Sequence, residues 1–202
     1  MQKNKPILFC DFDGVLCHEK YWRSLPTDKY QQVQQLLFGE DKSYTNDWMR
    51  GKYSAEEANR KVSETINVSY EELWELFVHD CRTMNVDKDA LEKLKNLRDR
   101  YTVILITGNM DSFTRFTEPA CNLHEYFDVI SNSYEEGIHK TDNDGILFTK
   151  YTKRFNAPLN QCIVLDDSEK VCDVFEKLGG KARLVSKEHD ILYHLDKITK
   201  PS

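Results

Sequence analysis

Residues 7–15 read ILFCDFDGV, and this stretch decides the fold. Its four apolar residues follow a proline and stop at an aspartate, which predicts a short buried β-strand rather than a helix. Asp11 and Asp13 then stand at the carboxyl end of the strand, where ligands bind in open parallel sheets. Two carboxylates ~4 Å apart repel each other by roughly 4 kcal/mol at an effective dielectric constant of about 20, so the pair indicates a bound cation or a shared proton. The alternative is a solvated turn after an edge strand, because Asp and Gly are common turn residues.

The second half of the chain alternates apolar runs with helical patterns. Residues 102–106 and 161–165 form continuous apolar runs, and shorter runs lie at residues 129–130 and 182–185. Continuous apolar runs are typical of strands that are buried on both faces of a parallel sheet. Helical spacing of apolar residues separates the runs, so right-handed βαβ crossovers and a doubly wound α/β fold are predicted.

Between the first two predicted strands lies a segment that has no strand pattern, residues 17–86. Ser54 and Ser69 each stand three residues before a glutamate, which is the signature of a capping box at the start of a helix. We therefore expect a Rossmann-like core made of residues 1–16 and 87–202, with a small all-helical cap at residues 17–86. Inserted after the first strand, this cap is expected to lie over the carboxyl ends of the strands.

Composition and charge narrow the functional classes. The chain has 202 residues, of which 40% are hydrophobic and 31% charged, with a net charge of −6, so nothing favours nucleic acid or an anionic membrane surface as a partner. No apolar segment is long enough to span a bilayer. Asp11 interrupts the first apolar run, which is too short for a signal peptide, and a cytoplasmic location is therefore expected. The six cysteines form no Cys-x-x-Cys pair, which argues against a zinc or redox site.

The end of the chain carries an amphipathic pattern. Ile191, Leu192, Leu195 and Ile198 recur at helical spacing and predict a terminal helix. This helix is expected to pack on its own domain; the alternative is a contact with a second copy. A monomer or a weak homodimer is therefore expected.

Polar side chains follow three of the predicted strands. They are Asp11 with Asp13, Thr107, and Asp166 with Asp167. The carboxyl ends of parallel strands open on the same edge of a sheet, so up to four carboxylates meet in one crevice. Carboxylate oxygens are hard ligands, and such a cluster selects Mg²⁺ over soft metals.

Further residues could bind an anion in the same crevice. Thr107 offers a hydroxyl group, and Gly108 and Asn109 offer backbone N–H groups at the start of a helix. Lys140 could balance the charge of a phosphate, although a lone lysine is usually a surface residue. His139 has no evident partner and is expected at the surface. A metal, an anion site, a lysine and a spare carboxylate together indicate phosphoryl transfer.

Four motifs in chain order resemble those of the haloacid dehalogenase (HAD) superfamily. They are DFDGV at residues 11–15, LITGN at 105–109, the lysine of EEGIHKTDND at 135–144 and VLDDS at 164–168. The helical insert resembles the helical cap of that family. Its segment DWMRGKYSAEE, residues 47–57, is similar to the specificity loop of sugar-phosphate members. Arg50 and Lys52 in this segment are therefore candidates for contact with a substrate.

The resemblance implies a role for each motif residue. Asp11 would be the nucleophile and Asp13 the general acid and base. Thr107 would bind phosphate, and Lys140 would orient the nucleophile and the phosphate. Many members have Pro-Asp after this lysine, whereas this chain has Thr-Asp, so two other lysines remain possible substitutes: Lys150 and Lys153.

The resemblance also implies a magnesium site. Asp167 would hold Mg²⁺ beside Asp11, and Asp166 would be either a ligand or a neighbour that supports one. Asp13 would contribute its backbone carbonyl to the metal.

The resulting expectation is a Mg²⁺-dependent phosphohydrolase that acts on a small phosphorylated metabolite through an aspartyl-phosphate. Asp13 favours phosphate esters over haloacids as substrates. Dehalogenases of the superfamily have no acid at this position, because a halide leaves without a proton, whereas an alkoxide leaving group needs one. Two alternatives remain open, a phosphosugar mutase of the same superfamily and a non-catalytic binding module with the same fold.

Overall fold

The computed structural model describes residues 5–199. Its five strands are β1 (Ile7–Cys10), β2 (Thr102–Thr107), β3 (Val129–Asn132), β4 (Ile163–Asp166) and β5 (Lys181–Leu184). They form one sheet in the spatial order β3-β2-β1-β4-β5, and every neighbouring pair is parallel. The predicted doubly wound α/β fold is confirmed.

The central strand β1 is buried along its whole length. Its alternate residues face opposite sides of the sheet, so Leu8 and Cys10 belong to one apolar cluster and Ile7 and Phe9 to another. Elements therefore cover both faces, which explains the continuous apolar runs of the sequence. The chain builds β2 and β3 on one side of β1 and then returns to build β4 and β5 on the other. β1 thus lies where the strand order reverses, the usual place of ligand sites in such sheets.

Helices occupy the strand-free segment that the sequence indicates between β1 and β2. They are α1 (Thr27–Phe38), α2 (Ser43–Trp48), α3 (Ala55–Ile66) and α4 (Tyr70–Arg82). Before α3, the predicted capping box is complete: the side chain of Ser54 accepts from the N–H of Glu57, and the side chain of Glu57 accepts from the N–H of Ser54. Before α4, the side chain of Ser69 accepts from the N–H of Glu72. The sequence pattern did not predict α2, because its six residues show no helical spacing of apolar side chains.

The remaining helices flank the sheet. They are α5 (Lys88–Leu97), α6 (Glu118–Ala120), α7 (Ser133–Glu136), α8 (Ile146–Arg154), α9 (Glu169–Lys177) and α10 (Ile191–Thr199). A π-helical turn, Phe113–Thr117, leads into α6. The terminal helix α10 packs against α5 and buries Ile191, Leu195 and Ile198 in the same apolar cluster as α5. Its apolar face is therefore covered by its own domain, as the first interpretation of the sequence expects.

The structure also bears on two expectations from the composition, which concern membrane-spanning helices and the cysteines. Among residues 5–199, no helix combines the length and the hydropathy needed to cross a bilayer. All six cysteines lie in this range as free thiols, and all except the partly exposed Cys121 are buried. They pack as small apolar residues.

Candidate active site

The nucleophile candidate Asp11 is fixed by the strand that precedes it. Its backbone N–H donates to the carbonyl of Leu165 over 3.0 Å, which continues the pairing of β1 with β4. Its Oδ1 accepts a bond from the N–H of Phe12 at 2.8 Å. The carboxylate is buried and lines a polar cavity of about 410 Å³ at the carboxyl ends of the strands.

Lys140 is the lysine that reaches Asp11. Its Nζ lies 2.7 Å from Oδ2 of Asp11 and 2.6 Å from Oδ2 of Asp166. Burial alone would lower the pKa of Lys140, but the two carboxylates outweigh it and raise this pKa above its usual value. Lys150 instead pairs with Glu136, so the structure brings Lys140 to the nucleophile candidate Asp11 despite the altered motif.

Three carboxylates converge beside this lysine. Asp11, Asp166 and Asp167 each offer an oxygen atom, and these oxygens lie within 4.8 Å of one another. Burial, followed by the charge of Asp11, raises the pKa of Asp166 to about 7, and the same two causes raise the pKa of Asp167. Three ionised carboxylates and one ammonium group leave two negative charges, and the donors are hard oxygens. The donor set therefore fits a divalent cation such as Mg²⁺.

The backbone makes room for Asp167 at one position. Gly14 has φ of +73°, and a Cβ atom there would lie 2.1 Å from Oδ2 of Asp167. Glycine alone offers both this conformation and this space. The helix that follows is capped by Ser168 rather than by the aspartate pair, because the side chain of Ser168 accepts from the N–H of Val171.

Asp13 faces a different direction from the other three aspartates. Its carboxylate accepts a bond from Nδ2 of Asn109 at 2.7 Å and pairs with Lys20 at 3.4 Å. Burial raises the pKa of Asp13, Lys20 opposes this, and the charge of Asp11 adds to it. Of the four carboxylates expected in one crevice, three converge on a common point, and the carboxylate of Asp13 turns to Asn109.

Asn109 supports Asp13 instead of offering a free N–H group. Its backbone N–H donates to Oδ1 of Asn132 at 3.1 Å, and its Oδ1 accepts from the hydroxyl of Tyr21 at 2.9 Å. The expected role of this N–H in anion binding is therefore not supported, because the group already has a partner. Neither Tyr21 nor Asn132 belongs to a motif, and no pattern in the sequence indicates a role for either.

Near Asp11, two residues carry a buried polar atom that has no partner in the described part of the chain. The hydroxyl of Thr107 and Nε2 of His139 have no hydrogen-bond partner within residues 5–199. A buried polar group without a partner costs about 1–3 kcal/mol, so the hydroxyl of Thr107 suits an incoming anion, and Nε2 of His139 suits a ligand that supplies a hydrogen bond. His139 was expected at the surface; the structure instead places it half-buried in the wall of the polar cavity. Burial, and then the charge of Arg50, lowers the pKa of His139.

The helical insert contributes Arg50 to the cavity wall, next to Gly108. The guanidinium of Arg50 makes a bidentate pair with Asp142, with Nη2 at 2.9 and 3.1 Å from the two carboxylate oxygens. Lys52 does not join it. That side chain is 60% exposed, pairs with Asp47 at 2.9 Å and does not line the polar cavity, so its contact with a substrate stays a prediction.

The sequence was compared with models of known protein families. The model of the haloacid dehalogenase-like hydrolases matches residues 6–179. The chain belongs to this hydrolase family. The resemblance carried by the four motifs is thereby confirmed. A comparison with curated proteins found no match to the sequence.

Solved structures of HAD proteins share the fold. A HAD-like family hydrolase from Porphyromonas gingivalis has 16% identity and a TM-score of 0.73, over 99% of this chain and 100% of its own. The HAD family enzyme bt-2542 from Bacteroides thetaiotaomicron, in complex with magnesium and inorganic phosphate, has 18% identity and a TM-score of 0.67, over 92% and 96%. A 2-haloacid dehalogenase from Pseudomonas syringae pv. Tomato DC3000 has 14% identity and a TM-score of 0.63, over 96% and 97%. At these identities the likeness extends to the fold alone, which phosphate and haloacid enzymes share.

Proposed function

We propose that this HAD hydrolase is a Mg²⁺-dependent phosphatase that cleaves a small phosphate monoester through an aspartyl-phosphate on Asp11. The proposal rests on one observation: the carboxylates of Asp11 and Asp13 lie close in sequence but have different hydrogen-bond and charge partners. Asp11 contacts an ammonium group, which suits an anionic nucleophile, whereas Asp13 is held apart by Asn109 with a raised pKa. A raised pKa favours a carboxyl group that can hold and give a proton, which an alkoxide leaving group requires and a halide does not.

The metal site is proposed from the donor set. Asp11, Asp166 and Asp167 would hold Mg²⁺, and the backbone carbonyl of Asp13 is a further candidate ligand. When bound, the ion supplies neutralising charge for the phosphate and the nucleophile. The binding of magnesium and inorganic phosphate by bt-2542, which has the same fold, supports this proposal.

The reaction has two chemical steps, formation and hydrolysis of the aspartyl-phosphate, and each residue has a role in one or both of them. An oxygen of Asp11 attacks phosphorus, while Lys140, the hydroxyl of Thr107 and the N–H of Gly108 hold the phosphate oxygens. Asp13 gives its proton to the ester oxygen, and the alcohol leaves. Asp13 then takes a proton from water, whose oxygen attacks phosphorus, so that inorganic phosphate departs and Asp11 is restored.

We further propose that residues 17–86 act as a cap over this site. Asp111 connects the two parts of the chain: it accepts bonds from Nε1 of Trp48 at 2.8 Å and from the N–H of Ala55 at 3.1 Å. Arg50 lies between Trp48 and Ala55 in the sequence. It pairs with Asp142, and both residues line the polar cavity. Such a cover would exclude water from the phosphoryl group.

The proposed activity is tested by phosphate release from 4-nitrophenyl phosphate. We expect release with Mg²⁺ and loss of release in excess chelator, because the three carboxylates repel one another without the ion. A parallel assay measures chloride release from 2-chloropropionate, which we expect to be absent. Full phosphate release in chelator, or chloride release without phosphatase activity, would contradict the proposal. Transfer of phosphate to a second bound sugar, without free phosphate, would indicate a mutase.

Gly14→Ala should weaken the magnesium site selectively. The new methyl group would displace the carboxylate of Asp167, and we expect the Mg²⁺ concentration for half-maximal activity to rise about 10- to 100-fold. Gly137→Ala is a matched control, because Gly137 has the same φ of +73° with nothing within 4 Å of an added Cβ. The control shares the backbone strain and should keep the Mg²⁺ dependence of the parent. Equal Mg²⁺ curves for both variants would argue against Asp167 as a ligand.

A further inference from the structure

A second cavity, of about 280 Å³, lies beside the polar one between the helical insert and the core. Its apolar wall consists of Tyr21, Phe38, Met49, Met84 and Met110. Three of the four methionines of the chain are thus gathered at one place. Methionine side chains are flexible and polarizable, and they pack well against flat rings.

This apolar cavity adjoins the proposed reaction centre. Gly108 lines both cavities, and Asp11 lines the polar one whereas Asp13 lines the apolar one. No side chain at position 108 separates the two spaces. A phosphate that is held next to Asp11, with its ester oxygen at Asp13, therefore directs its alcohol portion into the apolar cavity.

Most polar groups in this wall are already bonded to neighbours in the protein. The hydroxyl of Tyr21 donates to Asn109, Asn109 donates to Asp13, and Lys20 pairs with Asp13. Glu19 accepts from the N–H of Asn85 at 2.8 Å. The surface that lines this cavity is mainly apolar, so a polyol would place most of its hydroxyl groups against apolar side chains, at about 1–3 kcal/mol for each hydroxyl that is buried without a partner.

Gln34 is the exception in this wall. It projects from α1, and its Nε2 is buried without a hydrogen-bond partner in the part of the chain that the structure describes. The cavity that Asp13 also lines thus offers one unused donor from the helical insert. A ligand with a single acceptor would satisfy it.

We infer that the alcohol portion of the substrate is a compact, mainly apolar ring that carries one hydrogen-bond acceptor, and that Gln34 determines specificity by donating to this acceptor. The inference rests on the phosphatase activity proposed above and names its substrate class. A cavity of roughly 150 Å³ already holds benzene, so the observed volume is sufficient for one substituted ring. The apolar wall thereby favours ring esters over the sugar phosphates that residues 47–57 suggest by similarity.

The test compares phosphate esters whose leaving groups are all primary alcohols. We expect kcat/KM for benzyl phosphate to exceed that for glycerol 1-phosphate at least tenfold. The better of the 3- and 4-pyridylmethyl phosphates, whose ring nitrogen is an acceptor, should exceed benzyl phosphate about fivefold. Gln34→Leu should abolish this second preference, so that the ratio of kcat/KM for the pyridylmethyl ester to that for benzyl phosphate falls to about one. Gln31→Leu, on the exposed face of α1, is the matched control and should keep both preferences.

A binding measurement makes the test independent of turnover. By calorimetry, benzylphosphonate should bind at least tenfold more tightly than methylphosphonate, and Met49→Trp, which fills the cavity, should remove the difference. Activity on 4-nitrophenyl phosphate with a preference for glycerol 1-phosphate, or an unchanged pyridyl preference in Gln34→Leu, overturns the inference alone. Absence of phosphate release from every ester overturns the proposed function, and the inference with it.

Discussion

Asp11→Asn is expected to abolish turnover, with a loss of more than about 10,000-fold in kcat and no covalent phosphoenzyme. The amide is a poor nucleophile, and among residues 5–199 no other carboxylate is bonded as Asp11 is, to the N–H of Phe12 and to Lys140. Lys140 keeps its contact with Asp166 at 2.6 Å, so the variant should remain folded. Phosphate release, intact mass after acid quench and thermal unfolding measure the three expectations.

The contradicting outcomes for Asp11→Asn are specific. Turnover within tenfold of the parent would exclude this residue as the nucleophile. An unfolding temperature well below that of the parent would instead show that the activity loss reflects the fold. In that case Asp11→Ser, which is smaller and places no amide against Lys140, provides the second variant for the same assays.

Asp13→Asn should slow the enzyme in a way that depends on the leaving group. For an ester with a basic alkoxide leaving group we expect a loss of about 100- to 10,000-fold, because the proton donor is gone. An activated aryl ester needs little proton transfer, so formation of the phosphoenzyme should be affected far less. The second step still lacks its base, and phosphoenzyme should therefore accumulate with the aryl ester.

Asp167→Asn is the comparison variant for Asp13→Asn. It removes a carboxylate from the proposed metal site but leaves the pair of Asp13 and Asn109 intact. Its loss of activity should respond to the Mg²⁺ concentration and be similar for alkyl and aryl esters. If Asp13→Asn slowed both classes of ester equally and accumulated no phosphoenzyme, Asp13 would not be the general acid and base.

Much of the fold follows from local patterns. Strands buried on both faces must be apolar throughout, so β1, β2 and β4 stand out in the sequence. Ser54 and Asp87 cap their helices through bonds that span three residues, and such short-range chemistry can be read directly. The spacing of motif residues at strand ends similarly brings Asp11, Asp166 and Asp167 together.

The details of the site depend on contacts between residues that are distant in sequence. Asn109 is bonded to Asn132, which lies 23 positions away, and to Tyr21, which lies 88 positions away. These contacts occupy the N–H group of Asn109 and turn its amide toward Asp13. The burial of His139 beside Arg50 and the outward direction of Lys52 likewise depend on how the insert packs on the core. No short motif contains this information, which is why the sequence interpretation was wrong about the surface position of His139.

The most direct test of the account is to locate the phosphoryl group. Asp13→Asn protein is mixed with an activated aryl phosphate and Mg²⁺, quenched in acid within milliseconds, digested at low pH and analysed by peptide mass spectrometry. We expect one added phosphoryl group, on Asp11, and none in the protein that also carries Asp11→Asn. A phosphoryl group on any other residue, or one that persists after Asp11→Asn, would contradict the assignment of Asp11 as the nucleophile.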